Sequence, residues 1–498
     1  MRYPDPFSVH SLASFVRSIR QSRHYRWYAA SVLGFALVIS VADMGAVNVA
    51  MPTIADSFGS NLKTVQWIAI GNMVAVSAFL MPMGRLSDLV GRKKMYVSGI
   101  SLFVIGAGLA SLAPNLETLI GLRVLQGVGM GMSQGNQMAI MTSVFPPQER
   151  GTAMGMHVTS VGLGIIIGPA VGGVLVDLLG WRSLFYLQVP LAILYLIPCL
   201  LVLDEGRISR ALGSGGAGRF DMLGAILSAA ALVLFLLGMT NPLGLDSTPR
   251  TAILVASALL LVAFVGWERR FPNPILDISL FKVPSFSLNV AGRIILFIAS
   301  APVIFFMPFY LQGVAGYSPG QTGAIMMSNA FGMIIAGPLA GRLSDRFGAR
   351  PFNVAGSLIA AAGFLVLSRI TPDASLAFLL VGIMLPSWGM GLFSAPNSSS
   401  ILRAAPSHSY GATASFLQLL RNASTVTGIA IGTLVVVSAI SAAGLHANLK
   451  GFTEGVDALT ADAFVSGLRT LFLAMAAVQL TGAAVSLIAW SRQAPSGQ

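Results

Sequence analysis

Between Trp27 and Trp490 the chain presents one long apolar stretch after another, separated by short polar or charged breaks. Hydrocarbon offers no partner to a peptide N–H or C=O, so a run of about 20 apolar residues must fold as a helix that bonds its own backbone. Composition leaves no soluble alternative. Of the residues, 55% are hydrophobic and 10% charged, where soluble domains carry about 25% charged residues. The breaks predict fourteen spans, at 28–50, 66–84, 95–113, 118–142, 151–175, 183–203, 219–240, 250–268, 285–311, 319–341, 350–370, 374–400, 408–440 and 464–491. The stretch 408–440 exceeds one plain crossing, so part of it is expected outside the hydrocarbon.

A formal charge of +12 would suit a nucleic-acid binder, but its distribution assigns it to topology. With an even number of spans both termini share a side. Twenty-one Lys and Arg fall on that side, against five on the other (Lys63, Arg182, Arg250, Arg369 and Lys450), with Arg123, Arg293, Arg421 and Arg469 inside spans. Lys and Arg are retained on the cytoplasmic face. Both termini are therefore expected in the cytoplasm, the chain in the inner membrane, and no nucleic acid as partner. The first apolar run starts near Tyr28 and continues as a full span, which does not read as a cleavable leader. Ahead of it, Leu12, Phe15, Val16 and Ile19 recur at helical spacing beside Arg17, Arg20 and Arg23. That segment reads either as an amphipathic helix on the membrane surface or as an unstructured basic tail. The one cysteine, Cys199, sits in an apolar run, allows no intrachain disulfide and reads as packing.

The segment GRLSDLVGRKK (Gly84 to Lys94) recurs as GRLSDRFGARP (Gly341 to Pro351), 257 residues later, and GMGM (Gly129 to Met132) is echoed by GMGL (Gly389 to Leu392). Two related halves follow, as in transporters built from repeats. Eight spans between the loop copies give about 32 residues per span, a helix plus a short loop; six would require about 43. The extra pair, 219–240 and 250–268, follows the soft linker Gly213 to Gly218. The expected organisation is a basic N-terminal segment (1–27), a six-helix bundle (28–203), a linker with two inserted helices (204–270), a second six-helix bundle (271–491) and a short tail (492–498).

These motifs resemble those of the major facilitator superfamily, specifically its fourteen-spanner drug:proton antiporter branch, over essentially the whole chain. GRLSDLVGRKK resembles the superfamily's loop between helices two and three, and LIGLRVLQGVGMG (Leu119 to Gly131) its fourth-helix signature. GIIIGPAVGG (Gly164 to Gly173) resembles the antiporter motif, and ADMGAVNVAMP (Ala42 to Pro52) and GWRSLFYLQVP (Gly180 to Pro190) resemble segments of the branch. Gly45 stands where the branch commonly has a hydroxyl residue, and the second loop copy ends in GARP instead of a basic run. The resemblance implies an all-α major facilitator fold. It further implies alternating access and proton-driven export of hydrophobic or amphipathic small molecules, the proton being the coupling ion and no other cofactor being required. It also assigns gating to Gly84, Asp88, Gly91 and Arg92 and to Gly341, Asp345 and Gly348. Asp88 would close onto the helix starting near Tyr410 and Asp345 onto the one starting near Arg150.

Asp43 is the one acidic residue well inside a predicted span, where a lone carboxylate is costly unless neutral or paired. Counting residues from the outer ends, Asp43 in span one and Arg123 in span four reach nearly the same depth. A carboxylate in such a place responds to solvent access and to a neighbouring cation, which is what proton coupling needs. Two readings stand: a proton site on Asp43 modulated by Arg123, or a static pair fixing helix packing. In Gly164, Gly168, Pro169, Gly172 and Gly173 the chain offers a nearly bare, bendable helix face for close contact.

Across Asp43, Arg123, Arg293 and Arg421 the interior balance is +2, which argues against a site for dications and favours an anionic or amphipathic cargo. Cavity candidates are Asn48, Gln126, Asn136, Asn329, Asn397 and Gln418, since an amide facing lipid is costly. The aromatics Trp67, Phe305 and Trp388 join them, with Arg293 and Arg421. His157, His408 and His446 stand apart from one another, and no Walker-type phosphate loop is present, so an embedded enzyme and an ATP-driven pump are disfavoured. The remaining alternative is a dedicated exporter of an endogenous metabolite, peptide or lipid. Membrane lipid is the expected surround, and a monomer is compatible with every reading.

Overall fold

The computed structural model describes residues 18, 20–146, 149–212, 221–241, 246–271, 277–404, 410–445 and 457–491. The basic N-terminal segment before Ser18, the linker Gly213 to Gly218, the histidines His408 and His446 and the tail 492–498 lie outside them. Fourteen long helices account for most of what is described. The first six are α1 (Tyr25–Ser57), α2 (Trp67–Val90), α3 (Arg92–Ala110), α4 (Leu116–Ser143), α5 (Arg150–Leu179) and α6 (Gln188–Val202). The inserted pair is α7 (Met222–Thr240) and α8 (Ser247–Glu268). The rest are α9 (Pro284–Phe309), α10 (Pro319–Phe347), α11 (Arg350–Leu367), α12 (Leu376–Ala404), α13 (Tyr410–Ala442) and α14 (Ala458–Ser491).

Twelve of the candidate spans are long and apolar enough to cross a membrane; α3 and α4 fall short. The cause is local: α3 opens on Arg92, Lys93 and Lys94, and α4 carries Glu117, Arg123, Gln126 and a run of glycines. Several helices overrun the sequence-predicted spans at their ends. Tyr410–Ala442, at 33 residues, would measure about 50 Å against about 30 Å of hydrocarbon. Helix starts carry local caps, as in Asn115, which accepts from Thr118 N, and the Ser318/Gln321 capping box ahead of Pro319. The loop repeat is a backbone repeat too. Gly91 and Gly348 end α2 and α10 at φ of +110° and +81°, a region in which a Cβ would be strained.

The GMG echo also has a common geometry. A Cβ on Gly129 would lie 2.5 Å from the Gly99 carbonyl oxygen, and one on Gly389 would meet the Gly356 carbonyl in the same way. In each half a glycine thus lets the third and fourth helices (α3 and α4, α11 and α12) press backbone to backbone. The inserted helices pack on each other, and α7 touches α2 of the first half and α13 of the second. They are joined by Ser257 Oγ donating to Ala231 O at 2.7 Å and by Arg250 Nε donating to Gly238 O at 2.9 Å. Exposed side chains such as Leu194, Leu259 and Val262 form an apolar perimeter suited to lipid.

Among the described residues the two halves meet at the end of the bundle away from the termini. Gln312 donates to the Val49 carbonyl at 2.7 Å, Thr433 to Gln66 Oε1 at 2.7 Å, and Ser318 Oγ and Gly320 N to Asp177 at 2.9 and 2.8 Å. One continuous apolar core spans both halves there, with Val47, Met51 and Ile54 packed among Phe305, Phe306 and Leu311. Toward the termini the core divides. One cluster, around Tyr25, Tyr96 and Tyr195, belongs wholly to the first half, and another, around Phe286, Ile401 and Phe416, wholly to the second.

The contact between α5 and α10 carries this closure. A Cβ on Gly323 would fall well inside contact distance of the Pro169 carbonyl oxygen, so Gly323→Ala should push the halves apart at that end. Disulfide formation in an Asp177→Cys/Ser318→Cys protein, scored by gel shift, should fall at least severalfold when Gly323→Ala is added. Unchanged crosslinking would show that the closure does not depend on this approach.

Candidate functional site

Helix α1 brings Asp43 against α4 near the middle of the first half. Arg123 Nη1 donates to Asp43 Oδ2 at 2.9 Å and Oδ1 at 3.2 Å, with the two side chains 1% exposed. The same nitrogen reaches Gln126 Oε1 at 2.6 Å, and Arg123 Nε points to the Ile68 carbonyl at 3.4 Å. Asn72 Nδ2 donates to the Arg123 carbonyl at 3.1 Å, tying α2 to α4. The Phe185 ring closes one side, 5.8 Å from the guanidinium carbon. The counted depths of Asp43 and Arg123 thus correspond to direct contact.

Gln188 is the partner that sequence reasoning missed. Its Nε2 donates to Asp43 Oδ1 at 2.5 Å from the first turn of α6, while its Oε1 is buried with no hydrogen-bond partner. The signal was present, since Gln188 lies inside the quoted segment GWRSLFYLQVP. An amide in an apolar run deserved the same weight there as in α4.

The glycine run that resembles the antiporter motif sets the position of Asp43. Along α5, a Cβ on Gly164 would strike Val41, one on Gly168 the Ala42 carbonyl oxygen at 2.5 Å, and one on Gly172 the Ala46 Cα at 2.5 Å. Gly173 faces the other way, onto Pro319 of α10. A Cβ on Gly45 would sit 2.8 Å from Pro169 Cδ, so the glycine lets α1 lie against the proline ring of α5.

In the loop, Gly84 lies against Gly135 of α4, where a Cβ would come to 3.2 Å of its carbonyl, whereas Gly341 meets only Ala395 at an ordinary 3.7 Å. The backbone N–H groups of Arg92 and Lys93 donate to Glu205 at 2.9 and 2.8 Å, so this carboxylate caps α3 from the short helix Glu205–Leu212. Lys93 Nζ in turn donates to the Leu200 and Leu203 carbonyls, each at 2.7 Å, at the end of α6. Charge that reads as topology in the sequence is also fastening. The side chains of Asp88 and Asp345 lie outside the described residues, as do those of Arg150 and Tyr410 expected opposite them.

The cavity candidates separate into groups. Gln126 belongs to the Asp43 site, and Asn136 turns back to donate to its own helix at Met132 O, 2.8 Å. Phe305 is 2% exposed and packed edge-on against Phe306 in the core that joins the halves. Trp67 is buried at the start of α2 with its indole N–H unpartnered. Asn48, Asn329 and Trp388 are half-buried, and Trp388 packs through its backbone on Gly332. Asn397 donates to the Asn289 carbonyl at 3.0 Å, while Gln418 reaches Asn422 at 3.5 Å, the limit of a hydrogen bond. Arg293 and Arg421 both lie against Phe297. Arg469 is exposed, and its Nε donates to the Ile370 carbonyl at 2.6 Å, just past the end of α11.

Residues 33–267 and 290–497 match the Major Facilitator Superfamily. The chain belongs to that superfamily. It is therefore a transporter and a multi-pass protein of the cytoplasmic membrane. It is 30% identical over 410 residues to the riboflavin transporter RibZ of Clostridioides difficile, covering 81% of this chain and 87% of that protein. It is 31% identical over 424 residues to the multidrug resistance protein Stp of Mycobacterium tuberculosis, covering 84% and 77%. The puromycin resistance protein pur8 of Streptomyces alboniger is 30% identical over 427 residues, covering 84% and 83%. In structure the chain resembles a bacterial homologue of the human lysosomal transporter Spinster, with a TM-score of 0.68 at 18% identity over 94% of this chain and 97% of that one.

A buried ion pair stripped of one partner leaves an uncompensated charge, at a cost of about 3–5 kcal/mol. Arg123→Gln should therefore destabilise the protein strongly, and adding Asp43→Asn should restore part of the loss. Thermal unfolding of the purified variants in detergent, followed by tryptophan fluorescence, checks this. A double variant no more stable than Arg123→Gln would mean that the two groups are not energetically coupled.

Proposed function

We propose that this superfamily member is a fourteen-span, proton-coupled antiporter that exports hydrophobic or amphipathic small molecules by alternating access, with both termini in the cytoplasm. The observation that carries the reading is the Asp43–Arg123 pair, buried at the centre of the first half with Gln188 as a second donor. The guanidinium supplies the counter-charge that a carboxylate in so dry a place requires. A proton arriving on Asp43 cancels the attraction and releases Arg123 toward Gln126 and the Ile68 carbonyl, which it already reaches.

Asp43 sits one residue from Ala42, whose carbonyl touches Gly168 of α5, and α5 meets α10 of the other half at Gly173. A change at the carboxylate is thereby connected to the face on which the halves close. The excess of Lys and Arg on the side of the termini supports the cytoplasmic assignment. The alternation of α3 and α4 with their neighbours supports counting them as spans despite their polar content. Drug export is supported by the resistance proteins among the relatives.

Reconstituted into proteoliposomes with an imposed pH gradient, the wild-type protein should move substrate against the proton flow. Asp43→Asn should abolish the gradient-driven component by at least tenfold while substrate binding persists. Coupled transport retained by Asp43→Asn would remove the carboxylate from the mechanism. A second reading, export of one endogenous metabolite by the same mechanism, is favoured by the similarity to a riboflavin transporter. Competition by a broad set of drugs would support the first reading, and inhibition by a single compound class the second.

A further inference from the structure

The second half contains two arginines without a counter-charge. Arg293 of α9 is 8% exposed; its Nη1 donates to Ser398 Oγ at 2.9 Å and its Nε is buried with no partner. The guanidinium carbon of Arg293 lies 5.2 Å from the centroid of the Phe297 ring, and that of Arg421, on α13, lies 6.0 Å from the same ring. Among the described residues neither arginine forms an ion pair. The sequence explains why, since it has no acidic residue between Asp277 and Asp345 or between Asp373 and Glu454, a range that covers α9, α12 and α13. The one acidic group deep in the first half, Asp43, is already committed to Arg123.

Two like charges in a poorly solvated place repel each other and each loses hydration, so the arrangement calls for an anion from outside the chain. Arginine presents a planar fork suited to a carboxylate, sulfonate or phosphate, and an aromatic face beside it suits a flat organic body. Both arginines stand well inside their helices. Arg293 stands nine residues into α9 and Arg421 eleven into α13, or about 14 and 16 Å along the helices from the end that bears the termini. The lipid composition of the test below separates a headgroup from cargo.

We propose that Arg293 and Arg421, both set against Phe297, bind the anionic group of an amphipathic organic substrate. The inference rests on the transporter reading and names the charge of its cargo. It also accounts for Ser398, which holds the Arg293 fork by one nitrogen and leaves the Nε edge unspent.

The test is equilibrium binding to the full chain in phosphatidylcholine nanodiscs, by fluorescence anisotropy, with two related xanthene dyes: anionic fluorescein and cationic rhodamine 123. Wild type should bind fluorescein the more tightly. Arg293→Gln and Arg421→Gln should each weaken fluorescein binding about tenfold or more, the loss expected for a charge-assisted hydrogen bond. Arg293→Lys, which keeps the charge without the fork, should weaken it less and serves where Arg293→Gln fails to fold. Discs containing phosphatidylglycerol should leave the wild-type affinity unchanged. Equal binding by wild type and Arg293→Gln, a preference for rhodamine 123, or loss of fluorescein binding to phosphatidylglycerol would each overturn the proposal, the last by assigning the site to a lipid headgroup. No pH gradient is applied, so binding is read without proton coupling. A failure of proton coupling and a failure of this site are therefore separate results.

Discussion

Helix α5 is pressed to backbone contact on two sides, and the arrangement of the molecule follows from that. Its glycines at 164, 168 and 172 receive α1, while Gly173 meets α10 of the other half. Without a hydrophobic drive between helices in lipid, such close approach supplies the dispersion energy that holds them. No larger side chain fits at these positions without moving a backbone. Because the α1 face runs from Val41 to Ala46, the same contact sets the depth and direction of Asp43. The packing of one helix thus places the carboxylate and, through Pro169 and Gly323, the closure between halves.

The halves repeat in backbone and diverge in charge. Gly91 and Gly348 end equivalent helices in equivalent conformations, and the Gly129 and Gly389 contacts superimpose in kind. The first half buries a neutral pair, Asp43 with Arg123, enclosed by Gln126, Gln188 and Phe185. Position 383, where the echo offset of 260 would carry Arg123, is Ile383, which is fully buried. The second half has Arg293 and Arg421 without a carboxylate. One scaffold therefore supports a site whose charge is satisfied internally and another whose charge is not. That division is what the proposed proton site and the proposed cargo site each require.

The helices were legible because hydrocarbon allows only one solution to backbone hydrogen bonding, and the breaks between them carry charge or glycine. Pairing Asp43 with Arg123 was legible by counting residues from the span ends, since rise per residue is fixed. Gln188 was not, because an amide within an apolar run gives no sign of which neighbour it will face. Glu205 was hidden similarly: it lies well over a hundred residues from the N–H groups it caps. Residue type alone does not say which face of α9 turns toward the other half, and Phe305 lies there in the shared core.

By itself the sequence determined that this chain is helical, spans a membrane, consists of two related halves and carries one deep carboxylate. Each of those rests on a quantity local to the chain: apolar run length, charge between runs, and the 257-residue offset of a motif. Only the tertiary structure decided which polar groups meet and where the halves close. It also decided that Asp43 has two donors while Arg293 keeps an edge without any. Those outcomes depend on how helices rotate about their axes and how near they approach. Glycine contacts between segments distant in sequence set both.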